Sequence, residues 1–287
     1  MLAAVAQVAR KAAGSLTSAA IAMSILLPFT VFADAQGSRL KNIELCNGAD
    51  RTSSEPRIRG CTALILSDGE PARIRLVAYN NRGNAYVAAG AYDRAIEDFG
   101  EAIGIAPNYA KAFNNRAVAY GKKGQHGLAL RDLDEALRID PGYATAFENR
   151  AEINYSTGQF ARAAEDYGEA IRLRPAFAAW RGRCQSRAAI GELQAAAADC
   201  TEALKLERDA AAFDTRGLIN LRLGEWDAAL SDYNAALQLE PGRATALFGR
   251  GLAYSRRGMI SQAEADFAAA KSAMPAVAEE FARHSVK

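Results

Sequence analysis

Histidine is almost missing from this chain: 287 residues hold only His126 and His284. A histidine-built metal site is thereby excluded, as is a cysteine nucleophile with an imidazole near it in sequence. The four cysteines, Cys46, Cys61, Cys184 and Cys200, include no CxxC pair of the kind zinc sites use. There is no GxSxG, no P-loop, no HExxH and no dinucleotide-binding glycine run. Acid pairs such as Glu97-Asp98 and Glu165-Asp166 read as residues of solvated helix faces or of the arginine–aspartate ladder described below. Together these absences point away from an enzyme, and from any metal, cofactor or small-molecule substrate.

A surplus of one charge is also missing. The formal charge is +2, and residues 1–33 carry Arg10 and Lys11 with no acid, so the remainder has 33 basic and 33 acidic residues. A balanced chain has no basic footprint for a phosphate backbone, which excludes nucleic acid as a partner. Proline is sparse, with 8 residues, and β-branched runs are few, so the composition favours an all-helical chain. The apolar stretch from Ala19 to Phe32 is short for a membrane span and is interrupted by Pro28. Preceded by Arg10 and Lys11, and followed by Val31-Phe32-Ala33 or Ala33-Asp34-Ala35, it reads as a cleavable signal peptide over 1–33. The expected location is periplasmic or secreted. An uncleaved anchor, giving a membrane-tethered scaffold, is the alternative. No small-residue lipid-attachment run precedes Cys46.

What the chain does have is a period. Glycines recur at Gly90, Gly124, Gly158, Gly191, Gly224 and Gly258, spaced by 34 residues, or by 33 on either side of Gly191. Five residues after each comes Ala95, Ala129, Ala163, Ala196, Ala229 or Ala263, and a second alanine follows seven later. Pro107, Pro141, Pro175, Pro241 and Pro275 close the units. In the unit starting at Leu76, Tyr79, Gly83, Tyr86 and Val87 share one helical face and Gly90 ends that helix. Ala95, Ile96, Phe99, Ala102 and Ile103 mark the second helix, which Pro107 stops. So short a turn allows only an antiparallel hairpin.

This pattern resembles the tetratricopeptide repeat (TPR) in six copies: 76–109, 110–143, 144–177, 178–209, 210–243 and 244–277. The resemblance implies an all-α, right-handed α-solenoid of antiparallel helix pairs, a TPR superhelix. The fourth copy departs most, with Cys184 at a small-residue position, Arg187 where tyrosine is usual and Arg208 in place of the proline.

One feature lies outside the family pattern. Every repeat carries arginine sixteen residues before aspartate: Arg82 and Asp98, Arg116 and Asp132, Arg150 and Asp166, Arg183 and Asp199, Arg216 and Asp232, Arg250 and Asp266. Arg82 lies eight residues before Gly90 and Asp98 eight after, so the two stand level on facing helices. A ladder of structural ion pairs is expected; a ligand-binding arginine stripe is the alternative. Cys184 and Cys200 obey the same geometry around Gly191, and Cys46 and Cys61 flank the polar stretch Asn47 to Arg57. An even count in an exported chain predicts the disulfides Cys46–Cys61 and Cys184–Cys200, each worth roughly 3 kcal/mol for a loop of about 15 residues. The alternative is small core residues in a reduced chain.

The segment 34–75 reads as a disulfide-tied N-terminal part, in which Pro56 to Ser67 is a second helix lacking its first and serves as a cap. Lys271, at a position apolar in earlier copies, marks the last repeat, and 278–287 reads as a frayed helical tail.

The family resemblance implies that first helices line a concave groove. Its expected partner-contacting residues are Asn80, Asn84, Lys111, Asn114, Glu148, Glu152, Arg181, Leu218, Leu221, Phe248, Leu252 and Arg256. The early groove is amide-rich. The late groove carries leucines and Phe248, either as a partner site or as packing between helices. The clamp that holds chaperone C-terminal carboxylates in this family is incomplete, because Asn80, Thr145 and Asn149 stand where its basic residues belong. The expected function is a non-enzymatic protein-interaction scaffold or adaptor of the cell envelope, binding a peptide segment or helix of a partner protein. The chain is also similar to exported repeat proteins of Gram-negative bacteria. The alternative is a structural solenoid that self-associates into homo-oligomers.

Overall fold

A computed structural model describes residues 36–48 and 53–283; the expected signal peptide lies outside the described residues. Among the described residues there are fifteen helices and no strand. They fall into two compact units, divided between Asn108 and Tyr109.

The first unit holds α1 (36–46), α2 (Ser54–Leu66), α3 (Ala72–Ala88) and α4 (Tyr92–Ile105). The cap is therefore not a second helix without its first. α1 pairs with α2 through the Cys46–Cys61 disulfide, whose Cα atoms are 4.6 Å apart, and α2 begins at Ser54, inside the polar stretch Asn47 to Arg57. α1 was illegible because its apolar face is one turn long: Ile43, Leu45 and Cys46 among polar neighbours. The backbones approach closely at Gly60, where a Cβ would lie 2.6 Å from that of Leu45. Ile43, Leu64, Ile74 and Ala78 pack around the sulfurs. A bidentate contact from Arg39 to the buried Glu70, at 2.6 and 3.1 Å, ties α1 to the start of α3.

The second unit stacks five hairpins and a terminal helix. They are α5 (Ala110–Lys122) with α6 (His126–Ile139), α7 (Ala144–Ser156) with α8 (Phe160–Leu173), and α9 (Phe177–Ala189) with α10 (Leu193–Leu206). Then come α11 (Ala210–Leu223) with α12 (Trp226–Leu239), α13 (Ala244–Arg256) with α14 (Ile260–Ala273), and α15 (Val277–Arg283).

Each hairpin turns at its period glycine, whose φ lies between +71° and +86°, a left-handed conformation that costs other residues energy. The next residue then donates its N–H back to the first helix, as from Gln125 to the Tyr120 carbonyl at 2.9 Å. The paired alanines have no exposed surface in repeats one to five (Ala95 and Ala102 through Ala229 and Ala236), so the helices touch along them.

The 33-residue spacings are absorbed in the linkers. Three residues join α8 to α9 and α10 to α11, against four between α6 and α7 and between α12 and α13. Where the fourth repeat lacks its proline, Asp209 caps α11 by accepting the Ala212 N–H at 2.8 Å.

A packing position repeats through both units. A small residue on the first helix faces a large one sixteen residues on: Gly83 and Phe99, Ala117 and Leu133, Gly217 and Tyr233, Gly251 and Phe267. In the fourth repeat the same two positions are Cys184 and Cys200, joined in a disulfide with Cα atoms 5.3 Å apart.

Candidate functional site

The arginine and aspartate rows meet as forks. Nε and Nη2 of Arg82, Arg116, Arg150, Arg183, Arg216 and Arg250 donate to Asp98, Asp132, Asp166, Asp199, Asp232 and Asp266 respectively, at 2.6–3.0 Å. All six aspartates are buried. Bidentate geometry of this kind fixes register between facing helices. The remaining guanidinium nitrogen reaches the preceding hairpin: Arg82 to Thr62, Arg150 to Asp134, Arg216 to Thr201 and Arg250 to Asn234, at 2.7–3.0 Å. Arg183 faces Gly168 instead, where a Cβ would lie 3.6 Å from its Nη1.

The sequence reading missed a second donor. Asn154 and Asn220 bond Asp166 and Asp232 at 3.0 and 2.9 Å, and Arg187 bonds Asp199 at 2.8 Å. The other repeats have Tyr86, Tyr120 and Tyr254 at that place. The odd arginine of the fourth repeat is thus a second cation on one carboxylate.

The expected groove residues do not all face solvent. In the first unit Asn80 is buried and Asn84 half-buried. In the second unit Asn114 is buried and accepts from Asn149 at 2.8 Å, joining α5 to α7. Lys111 and Glu152 are exposed, and Glu148 accepts from Arg174 at 3.2 Å. Arg181 stacks over Phe177 near Asp209, while exposed Arg256 sits over Trp226.

Leu221 is buried, and Phe248 and Leu252 pack against the core. The apolar end of the groove is therefore not open. α15 lies on it, burying Val277 and Phe281, with the Phe281 ring 5.1 Å and the Phe267 ring 5.2 Å from that of Phe248. The expected helical tail is a helix from Val277 to Arg283 among the described residues, docked rather than frayed because those two apolar residues, four apart, share one face.

Between α15 and the fourth repeat a cavity of about 540 Å³ remains. Tyr155, Phe160, Ala188, Ala189 and Leu218 form apolar walls, and Phe281 closes one end. Of the expected groove residues, Leu218 alone lines it. The other side is polar: Gln185, Asp214, Thr215, Arg222, Arg243, Thr245 and Glu280. Asp214 is buried, and its Oδ2 accepts from Arg243 Nε at 2.7 Å and from the Thr245 hydroxyl at 2.5 Å. Burial pushes the Asp214 carboxyl above its ordinary value, and those two hydrogen bonds pull against that shift. Arg222 donates to the Ala188 carbonyl at 2.9 Å, which fixes the guanidinium at the rim.

Family profiles match most of this architecture. "TPR repeat" matches 83–124 and 217–258, and "Tetratricopeptide repeat" matches 110–143 and 148–214. The chain belongs to the tetratricopeptide repeat family.

The TPR hairpins also align with solved structures. The C-terminal part of a TPR repeat-containing protein from Cytophaga hutchinsonii has TM-score 0.64 at 16% identity, covering 87% of this chain and 100% of that one. Pseudomonas aeruginosa PilF has TM-score 0.63 at 18% identity, covering 74% and 99%. YrrB, described as a TPR protein with an unusual peptide-binding site, has TM-score 0.59 at 22% identity, covering 66% and 98%. At these identities the likeness is one of fold. No curated protein sequence matches the chain.

Among the described residues of this TPR protein, no cluster of three histidine, cysteine or carboxylate side chains could hold a metal. Among the same residues no helix is long and apolar enough to cross a membrane. TPR repeats build protein-interaction scaffolds, and the cavity is the part of this one with a distinct chemistry.

Proposed function

We propose that the chain is a non-enzymatic adaptor of the cell envelope that holds a segment of a partner protein on the first helices of its second unit. The observation that carries this reading is the cavity bounded by α7, α8, α9, α11, α13 and α15. It has apolar walls, a few fixed polar groups and a volume of about 540 Å³, within the roughly 300–1,000 Å³ typical of ligand sites. A TPR array buries its own apolar faces between repeats, so space left open on the first helices is available for a partner. YrrB, similar in fold, is described as having a peptide-binding site. The envelope location rests on the basic and apolar segments at 1–33, and two disulfides suit an oxidising compartment.

Site-specific photocrosslinking in intact cells tests the reading. A photoreactive residue at Ala189, on the cavity wall, should trap an envelope protein. One at Glu165, exposed on α8, should not. Equal trapping from both positions, or a cytoplasmic partner, would refute it. N-terminal sequencing of the mature protein tests the signal.

A further inference from the structure

The hairpins of the second unit are tied together by polar side chains. Asn149 donates to Asn114 and Arg150 to Asp134 between the second and third repeats, at 2.8 and 2.7 Å. Arg216 donates to Thr201 and Arg222 to the Ala188 carbonyl between the fourth and fifth, both at 2.9 Å. Arg250 donates to Asn234 and Arg257 to Asp227 between the fifth and sixth, at 2.8 and 2.9 Å. α15 has no such tie. Among the described residues, no side-chain hydrogen bond or ion pair reaches it at 277–282.

Two side chains hold it instead. Val277 and Phe281 are 2% and 4% exposed, in the cluster that takes in Phe248 and Leu252. A helix of seven residues is too short to persist alone in water. α15 is therefore helical because it is docked, and undocking removes helix and contacts together. The chain can swing at 274–276. Met274 is extended, Pro275 has no N–H to give, and the new turn begins at Ala276, which accepts from Glu279 and Glu280 at 3.1 Å.

What α15 covers is the groove. Phe281 closes one end of the cavity with Glu280 beside it, and its ring lies 5.1 Å from that of Phe248 on α13. With α15 undocked, the apolar wall from Tyr155 and Phe160 through Leu218 would run on to Phe248 and Leu252. Those last two are apolar positions that the sequence places on the groove.

We infer that α15 is a gate on this groove, an intramolecular occupant that a partner segment must displace. The inference rests on the partner-holding reading above and adds its regulation. A partner binds only the fraction of chains in which α15 is undocked, so its apparent affinity falls by that fraction. Being tethered, α15 competes at a high local concentration, against which a free copy of the same segment must work from solution. A merely structural cap differs in one respect: its loss loosens the hairpin beneath it. α13 and α14 keep their own Arg250–Asp266 fork and the Arg250 and Arg257 ties to the fifth repeat, so they hold without α15.

Fluorescence anisotropy with the full mature chain and a labelled peptide of residues 275–287 is the test. The peptide should bind the Phe281→Ala chain at least about tenfold tighter than the wild-type chain, whose own α15 holds the site. The same peptide carrying Phe281→Ala should bind neither. Hydrogen exchange of the wild-type chain with saturating heavy-isotope peptide needs no variant. It should show 277–283 losing protection while α13 and α14 keep theirs. Equal affinity for the two chains, no binding to the Phe281→Ala chain, or loss of protection across α13 and α14 once α15 leaves would overturn the gate. Photocrosslinking from Ala189 separates the two readings, and the Phe281→Ala chain should trap more of the envelope partner than wild type. Trapping unchanged by Phe281→Ala would overturn the gate and leave the partner-holding reading intact. Trapping from neither chain would refute the partner-holding reading, whatever the peptide does.

Discussion

Asp199 is the carboxylate on which the ladder's logic can be tested most sharply. It is 4% exposed and accepts from Arg183 at 2.9 and 2.7 Å and from Arg187 at 2.8 Å. Asp132, in the same unit, serves Arg116 alone at 2.7 and 2.8 Å. Removing one partner of a buried ion pair costs about 3–5 kcal/mol, because the other charge is left without compensation. Asp132→Asn should therefore cost about 3 kcal/mol. Asp199→Asn strands two guanidinium groups. A charge-assisted hydrogen bond contributes about 1.5–3 kcal/mol. Arg187 retains some solvent and Glu192 at 3.5 Å, so the increment should be about 1–2 kcal/mol. Arg187→Met should cost only about 1 kcal/mol, since Asp199 keeps the Arg183 fork. Adding it to Asp199→Asn should restore about 1 kcal/mol by removing the surplus cation. Urea unfolding of oxidised protein followed by circular dichroism measures the total. Hydrogen exchange at α9 and α10 assigns it, because repeat arrays need not open as one body. If Asp199→Asn costs no more than Asp132→Asn, or Arg187→Met costs as much as Asp199→Asn, the two-cation account fails.

Other predictions follow from the same geometry. Gly168→Asp would supply the acceptor that Arg183 lacks and remove a helical glycine, so it should stabilise by about 1 kcal/mol, read as a higher urea midpoint. Cys184→Ala with Cys200→Ala should cost about 3 kcal/mol, and dithiothreitol should speed exchange at α9 and α10 of the wild-type protein but not of the variant, where only Cys46–Cys61 is left to reduce. The Glu70 carboxyl is held below its ordinary value of 4.5 by hydrogen bonds from Arg39. A depressed acid stabilises the fold above its unfolded value and loses that contribution as pH falls through the folded one. The α1–α2 hairpin should thus exchange faster below about pH 4.5, and Arg39→Met should abolish that dependence. Phe281→Ala should cost α15 about 3 kcal/mol and release it, seen as loss of exchange protection over Val277 to Arg283.

What the chain discloses before folding is whatever lies within one period. The hairpins, the level placement of Arg82 with Asp98, and that of Cys184 with Cys200, all follow from counting outward from a glycine that must turn. What it conceals depends on stacking. Asn80, Asn114 and Leu221 sit on faces that a single helix leaves open, yet they are buried where other elements pack over them. Asp214, Arg243 and Thr245 converge across 29 and 31 residues, and no spacing within one repeat announces them. α15 is legible only as a short helical tail, because two apolar residues in one turn do not say what they pack on. α1 is not legible at all, with its few apolar residues confined to one turn. Arg187 was visible as an anomaly, but its purpose appears only with Asp199 in place.

The disulfide of the fourth hairpin stands where its neighbours set a ring or a leucine against glycine or alanine. Those contacts form wherever the chain can exclude water, whereas a sulfur–sulfur bond needs an electron acceptor. In a reducing compartment the fourth repeat would lose that bond, and two thiols, which need more separation than bonded sulfurs, would have to fit where the helices are drawn to 5.3 Å between Cα atoms. Cooperativity in a linear array passes only between neighbours, so the second and third hairpins would then melt independently of the fifth and sixth. The walls of the cavity come from both sides of that joint, from Tyr155 to Thr245. Oxidation therefore braces the joint between the two halves of the array from which the proposed binding surface is built.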